Sequence, residues 1–204
     1  MNNIFKYMVT GLLAILPASL VAQNTALLDA LYESFASHCI LLDCEYSVVS
    51  QGVPSKGDCK VEVQGTSYRM QGFGLDVYCD GKTVWMLDPT AKEAIAEPVN
   101  DDSFSYMSNP ALLFRDMDKV FTVASATASG SGMKYKLSAS KSCGIDKALL
   151  EIDRNSQLKT AEFTLDDGSV MKINVLSMKV QPLKTKESFV PGNLSSDWII
   201  TDLR

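Results

Sequence analysis

The chain has few residues with which an enzyme could do chemistry, and none of them stands in a catalytic pattern. His38 is the only histidine, and it ends a predicted helix, where a capping or surface role explains it better than a role as general base. Asp76 and Asp80 could act as paired carboxylates, but Asp80-Gly81 has the sequence of a turn. Gly72-Phe73-Gly74 lacks the following helix that a phosphate loop requires. The sequence therefore predicts a protein that is not an enzyme.

The candidate metal ligands are the Asp166-Asp167-Gly168 stretch and the cysteines. A calcium loop needs oxygen ligands at alternating positions, and these do not follow Asp166, so a hairpin turn is predicted there. No Cys-x-x-Cys pair occurs, so we expect no zinc and no cofactor. The cysteine count is odd, and either buried free thiols or disulfides fit the pattern. Their connectivity stays open among Cys39, Cys44, Cys59, Cys79 and Cys143.

Residues 1–22 have the pattern of a secretory signal peptide. Lys6 precedes the mostly apolar run Tyr7–Leu16, and small residues end at Ala22, after which cleavage is expected. The apolar run is too short to span a bilayer comfortably. Residues 23–204 are predicted to form a single exported domain without stable membrane insertion. Loss of Lys6 changes the formal net charge from −5 to about −6, and an acidic surface argues against nucleic-acid binding.

The spacing of the apolar residues predicts the secondary-structure elements. Thr25–Cys39 has apolar residues at helical spacing, which predicts an amphipathic helix. The segments DCEYSVVS, DCKVEVQ and SYRMQ instead alternate apolar and polar residues, which indicates antiparallel strands with one wet face. The first half is predicted to be a meander of five or six strands. Asp80-Gly81 is predicted to form a type I′ turn with positive φ at both positions.

A second helix and further strands come after the meander. Asn109 can cap a helix over Pro110–Asp118, because proline is favoured at the first helical position. The segments KYKLSAS, ALLEIDR and TAEFTLDDGSVMKINVL resume the alternation. A change of parity between Val175 and Leu176 indicates a bulge. The tail around Trp198-Ile199-Ile200 is predicted to form closing strands.

Because the pleat fixes parity, the apolar members of these strands should share one face of the sheet. Two interpretations of this face are open, an ordinary core beneath helices and a ligand cavity, and the flexible methionines favour the cavity. The cavity wall predicted from parity consists of Tyr46, Val48, Val61, Val63, Tyr68, Met70, Val77, Tyr135, Leu137, Phe163, Leu165 and Ile173.

The stretch Val77–Pro89, VYCDGKTVWMLDP, followed by AKEAIAEPV, resembles the signature of the LolA-like outer-membrane lipoprotein carrier proteins. In that family an apolar run, an Asp-Gly-Lys turn, a tryptophan strand and an Asp/Asn-Pro turn occur in this order. The order of elements extends the resemblance over the exported chain. Many members place Arg-Pro at the end of the second meander strand, whereas this chain has Val61–Gly65 there. Arg69 on the next strand is a substitute whose parity points to the polar face.

The resemblance implies a mainly β (α+β) fold, a curved, incomplete antiparallel β-barrel with a helical lid. It implies a monomeric periplasmic carrier that shields the acyl chains of lipoproteins in an apolar cavity and delivers them toward the outer membrane. The implied partners are acylated lipoproteins, inner-membrane release machinery and an outer-membrane acceptor. Trp85 of the motif hairpin would join the cavity wall, and the lid would consist of Leu31, Phe35, Leu113, Phe114 and Met117. The alternatives are a periplasmic sensor or small hydrophobic-ligand-binding protein on the same scaffold, and an exported enzyme with an unrecognised site.

Overall fold

The computed structural model describes residues 25–99, 110–140 and 142–204, without the side chains of residues 110–112. The predicted signal peptide and the predicted cap at Asn109 lie outside these ranges. In chain order the elements are α1 (Ala26–Ser37), β1 (Cys39–Ser50), β2 (Val53–Gln64), β3 (Ser67–Gly72), β4 (Leu75–Cys79), β5 (Thr83–Asp88), β6 (Glu93–Pro98), α2 (Pro110–Val120), β7 (Phe121–Ser129), β8 (Gly132–Ala139), β9 (Ile145–Ile152), β10 (Leu158–Leu165), β11 (Val170–Gln181), a 3-10 helix (Lys186–Phe189) and β12 (Ile199–Asp202).

The strands form one twelve-stranded sheet in the order β12-β6-β5-β4-β3-β2-β1-β11-β10-β9-β8-β7. The sheet is curved and open, with β12 and β7 at its two edges. Neighbouring strands are antiparallel except β12, which runs parallel to β6. The mainly β, incompletely closed architecture expected from the sequence is therefore confirmed. Of the predicted closing strands, the structure has one short edge strand, Ile199–Asp202.

The predicted bulge lies in β11, next to the centre of the sheet. Asp43 of β1 pairs with Ser177, whereas the next residue, Cys44, pairs with Val175. Leu176 is therefore the extra residue, and its side chain is 59% exposed. The bulge returns Val175 and Met178 to the same buried face, which alternation without an insertion could not do.

Both helices pack on one face of the sheet, which we call the inner face. The first-turn N–H groups of Leu27 and Leu28, which have no partner within a helix, donate hydrogen bonds to the Tyr135 hydroxyl on β8. At the other end of α1, His38 is exposed and its N–H bonds to the Ser34 carbonyl, as the capping interpretation predicted. No helix within the described ranges has the length and hydropathy that a membrane span needs.

Helix α2 continues into β7 without a loop. The carbonyl of Val120, the last helical residue, accepts hydrogen bonds from both the backbone N–H (2.7 Å) and the hydroxyl (2.7 Å) of Ser140. Val120 and Phe121 are both buried. The C-terminal end of α2 is thus fastened to the sheet by backbone geometry as well as by packing.

A second, smaller core lies on the opposite face, which we call the outer face. Phe189 of the 3-10 helix is fully buried, and this short helix contacts β3. The Gln64 side chain holds the chain before it, donating to the Lys184 carbonyl (3.0 Å) and accepting from the Lys184 N–H (2.7 Å). Lys184 also pairs with Glu62 at 2.5 Å. The C-terminal segment, residues 184–204, therefore crosses the outer face, and we call it the strap.

The turn at Asp80-Gly81 corrects the type I′ prediction, because of these two residues only Gly81 has positive φ (88°). The Asp80 carboxylate accepts hydrogen bonds from the N–H groups of Lys82 (2.8 Å) and Thr83 (2.9 Å), and this side-chain interaction shapes the turn. A Cβ on Gly81 would lie 2.5 Å from the Thr66 hydroxyl oxygen, so a larger residue would have to displace the Thr66 side chain in addition to adopting a positive φ.

Candidate functional site

The strand register brings twelve of the thirteen predicted wall residues onto the inner face. In the meander, Val63 pairs with Tyr68 and Met70 with Val77. In the second half, Tyr46 pairs with Ile173 across the β1–β11 ladder. The whole inner group is part of, or packed against, a single core cluster with the helices: Tyr46, Val48, Val61, Val63, Tyr68, Met70, Val77, Tyr135, Leu137, Phe163, Leu165 and Ile173.

Trp85 is the exception, because the register places it on the outer face. It pairs with Tyr78 and Ala96, whereas its neighbours Val84 and Met86 point to the inner face. The Arg204 guanidinium lies 5.9 Å from the centre of its ring, beside the C-terminal strap. The assignment of Trp85 to the wall is therefore wrong on geometric grounds. Its aromatic ring fills the strap side of the hairpin instead.

The five predicted lid residues all lie in the same core cluster as the inner face. Each is at most 7% exposed. The rings of Phe35 on α1 and Phe114 on α2 are stacked, with centroids 4.3 Å apart and an angle of 2° between planes. This contact joins the two helices directly above the sheet. The helices therefore act together as one apolar cover.

Helix side chains pack against the inner face, whereas two open grooves lie on the outer face. One groove of about 780 Å³ is lined by charged residues of both signs, such as Glu45, Lys172 and Glu162. The other, of about 160 Å³, includes Lys60 and Glu62. Mixed charge does not suit an apolar ligand. The surface that suits such a ligand is therefore the one that the helices cover.

Buried phenols and one buried carboxylate give the site its polar groups. Burial raises the pKa of Tyr32 and Tyr68, and the Asp118 carboxylate adds to the effect at Tyr32. Both phenols therefore stay neutral at ordinary pH, which suits an apolar surface. On α2, hydrogen bonds from Arg115 and then Lys119 hold the pKa of Asp116 below its usual range. These two ion pairs lie within the helix itself.

An aromatic pair that the sequence did not predict covers one end of the inner face. Tyr46 lies flat over Gly57 of β2, and a Cβ at Gly57 would meet the Tyr46 hydroxyl oxygen at 2.7 Å. Phe73, at the β3–β4 turn, stacks on Tyr46 with centroids 3.9 Å apart. It has a φ of 56° and is 53% exposed. A glycine inside a strand opposite an aromatic residue was the available signal for this contact.

All five cysteines are buried free thiols. Cys44 and Cys59 stand directly opposite each other in the β1–β2 ladder. The Cys39 thiol donates to Glu62 (3.4 Å), and burial together with this hydrogen bond raises its pKa to about 11. Such a thiol is a poor nucleophile at neutral pH.

The remaining candidates for chemistry are occupied by structural roles. Asp76 accepts a hydrogen bond from Gln71 (3.1 Å), and Asp167 accepts one from the Ser169 N–H (2.8 Å) in the predicted hairpin turn. Among the residues that the structure describes, no three His, Cys, Asp or Glu side chains lie close enough together to hold a metal ion. Arg69 lies on the outer face, as its parity predicted, with its guanidinium 5.0 Å from the centre of the Tyr78 ring.

Comparison with known proteins identifies similar folds but no similar sequence. No protein-family model and no curated protein sequence matches the chain. An uncharacterized conserved protein from Thermus thermophilus is similar at a TM-score of 0.55 and 14% identity, over 89% of this chain and 99% of that one. A LolA superfamily protein from Nitrosomonas europaea gives 0.44 and 12%, over 82% and 97%. A putative outer membrane lipoprotein-sorting protein domain from Vibrio parahaemolyticus gives 0.43 and 11%, over 82% and 96%.

Proposed function

We propose that this protein is a periplasmic carrier that binds the acyl chains of lipoproteins against its inner face and delivers them toward the outer membrane. The observation that supports this most is the inner face itself, an apolar surface that continues across many strands and is covered by the two helices. The resemblance of Val77–Pro89 to the LolA-like signature is the reason for proposing lipoproteins as the ligand. A surface without catalytic groups is what a carrier needs.

The burial energies are compatible with reversible binding of an acyl chain. Complete burial stabilises a large apolar side chain by about 1.5–3 kcal/mol, so exposing the five lid side chains costs about 8–15 kcal/mol. An acyl chain of about sixteen carbons gains about 12 kcal/mol at roughly 0.8 kcal/mol per CH₂. The two burials are of similar size, because the chain replaces the lid side chains on the same surface. Net affinity is their difference, and a small difference allows release.

The ion pairs of Asp116 lie within α2 and do not hold the helix to the sheet. Asp116 keeps its ion pairs with Arg115 and Lys119 wherever the helix goes, since all three residues belong to it. The contact to α1 through Phe35 and Phe114 is apolar. An acyl chain can replace an apolar contact of this kind without leaving a buried polar group unpaired.

A charge on the buried side of the lid tests the proposal. We would measure binding of a fluorescent acyl probe to Leu113→Asp and Met117→Asp, with Ala36→Asp on the exposed side of α1 as the matched control. A buried carboxylate disfavours the closed state, so the open fraction rises and the apparent dissociation constant falls. The control should bind as the unaltered protein does. Unchanged binding in both lid variants would mean that α2 is a fixed part of the core.

Cargo and delivery need a separate measurement. Mass spectrometry of the protein purified from its native periplasm should identify co-purifying lipoproteins. A carrier should pass a bound lipoprotein to outer-membrane acceptor vesicles, whereas a sensor on the same scaffold should retain it. An enzyme should return its load chemically altered, and this outcome would reject the carrier assignment.

A further inference from the structure

The Cys44–Cys59 pair is placed for a covalent bond that the free thiols do not yet make. The two residues are register partners, they share the inner face, and they are 3% and 8% exposed. Their thiols are close enough for each to shift the pKa of the other. The other strand cysteines face different residues, Cys39 opposite Gln181 and Cys79 opposite Tyr68.

The ladder geometry sets the spacing of the pair. Residues directly opposite each other in antiparallel strands have Cα atoms about 4.5 or 5.5 Å apart, and both values lie within the range of roughly 4.4–6.8 Å found in disulfides. The backbone therefore needs no change of register for Cys44 and Cys59 to be joined.

The turn that closes the β1–β2 hairpin determines whether Cys44 and Cys59 form a hydrogen-bonded or a non-hydrogen-bonded cross-strand pair. Gln51-Gly52, with φ of 51° and 78°, is a two-residue turn closed by Ser50 and Val53. Pro54 has no N–H, so the hydrogen bonds at this end must be exchanged by Ser50 and Val53 themselves. Cys44–Cys59 lies an even number of steps along the unbroken ladder, and is therefore also a hydrogen-bonded pair.

Hydrogen-bonded pairs hold their Cβ atoms near the upper end of roughly 4.5–5.5 Å. A disulfide needs about 3.5–4.5 Å between them. Closing the bond must therefore draw the two strands together by about 1 Å, which stores strain and makes the bond easier to reduce.

We propose that Cys44 and Cys59 form a strained cross-strand disulfide when a small-molecule disulfide is present as oxidant, and that thiols readily reverse it. The Cys59 thiolate attacks one sulfur of the oxidant and releases one small thiol. Cys44 then loses its proton and attacks the Cys59 sulfur, releasing the second. Two protein thiols and one small disulfide thus become one protein disulfide and two small thiols, so atoms and electrons balance.

The electrostatics support this order of attack. Interaction with the Cys44 thiol lowers the pKa of Cys59, whereas the same interaction, together with burial, raises the pKa of Cys44. Cys59 is therefore the better first nucleophile. The proposal does not depend on acyl-chain binding, and its test uses no lipid.

The test is a disulfide map of the full exported chain. The protein is purified without reductant, incubated with oxidised glutathione, quenched with acid, alkylated and digested for mass spectrometry. We expect one linked peptide pair, Cys44 to Cys59, with Cys39, Cys79 and Cys143 alkylated. Both Cys44 and Cys59 alkylated after oxidation, or a link to another cysteine, would overturn the proposal.

Variants test the mechanism and the strain. Cys44→Ser should trap glutathione on Cys59, Cys59→Ser should leave Cys44 largely unmodified, and Cys143→Ser should keep the link. Reduced glutathione should open the bond at a concentration at least tenfold below that needed for a structural disulfide in a reference protein. A bond as resistant as the reference would refute the strained geometry.

Discussion

Truncating Phe114 should tighten acyl-chain binding while it destabilises the closed protein. Its ring is 7% exposed and stacks on Phe35 at 4.3 Å. Removing a buried phenylalanine side chain costs about 3–5 kcal/mol. Part of this loss destabilises the closed state relative to the loaded one, because in the loaded state the acyl chain takes the place of the ring.

The matched comparison is Phe163→Ala, which removes the same side chain from the sheet. Phe163 is fully buried on β10 and belongs to the wall that a bound chain would contact. The two variants should lose similar stability in urea but change affinity in opposite directions. We take a third of the stability lost in Phe114→Ala, about 1.4 kcal/mol, to destabilise the closed state relative to the open state. The open fraction then rises, and the apparent dissociation constant of the variant falls tenfold.

Titration of a fluorescent acyl probe, together with urea unfolding of each variant, measures both quantities. The dissociation constant of Phe163→Ala should rise, since the chain loses a contact on the wall. If both variants lose stability and both bind the probe more weakly, the helices are permanent core and the lid reasoning is refuted.

Three further predictions concern the parts around the site. Gly81→Ala should lower the free energy of unfolding by about 1–3 kcal/mol, more than Gly52→Ala, because both positions have positive φ but only Gly81 is crowded, by Thr66; equal losses in urea would contradict this. Asp116→Asn should cost about 0.5–1 kcal/mol at neutral pH. The pKa of Asp116 is lowered in the folded state, so its contribution is present above the unfolded pKa of about 3.9 and is lost as pH falls below it; a difference between wild type and variant that does not shrink in acid would argue against it. Phe189→Ala should cost about 3–5 kcal/mol and leave acyl-probe affinity unchanged, because Phe189 lies in the outer core; altered affinity would couple the strap to the site.

The inner face was predictable because alternation is a local property that the pleat converts directly into sidedness. Tyr46, Val63 and Phe163 lie far apart in sequence, yet each reports its face through its own neighbours. The bulge at Leu176 was predictable for the same reason, since one inserted residue reverses the parity of the residues after it.

The errors concern features that the alternation of apolar and polar residues does not determine. The motif predicted that the whole hairpin lines the wall, and Trp85 was included with it. The strand register instead places Trp85 on the outer face, where the C-terminal strap covers it. The conformation at Asp80 depends on a carboxylate that replaces a backbone partner. The Tyr46–Phe73 stack joins a strand to a turn two strands away, and no periodicity within either segment could have shown it.

The attachment of α2 at Val120 makes the helix a lever. Ser140 holds its C-terminal end with two hydrogen bonds to one carbonyl, and the chain passes directly into β7. Eleven residues at about 1.5 Å each give an arm of roughly 16 Å. A swing of about 20° about this pivot would move the Pro110 end by about 6 Å, yet would hardly displace Val120. An acyl chain that enters beneath the Pro110 end would therefore need to move the helix least at its fixed end. The gap between α2 and the sheet would be widest at the end farthest from Ser140.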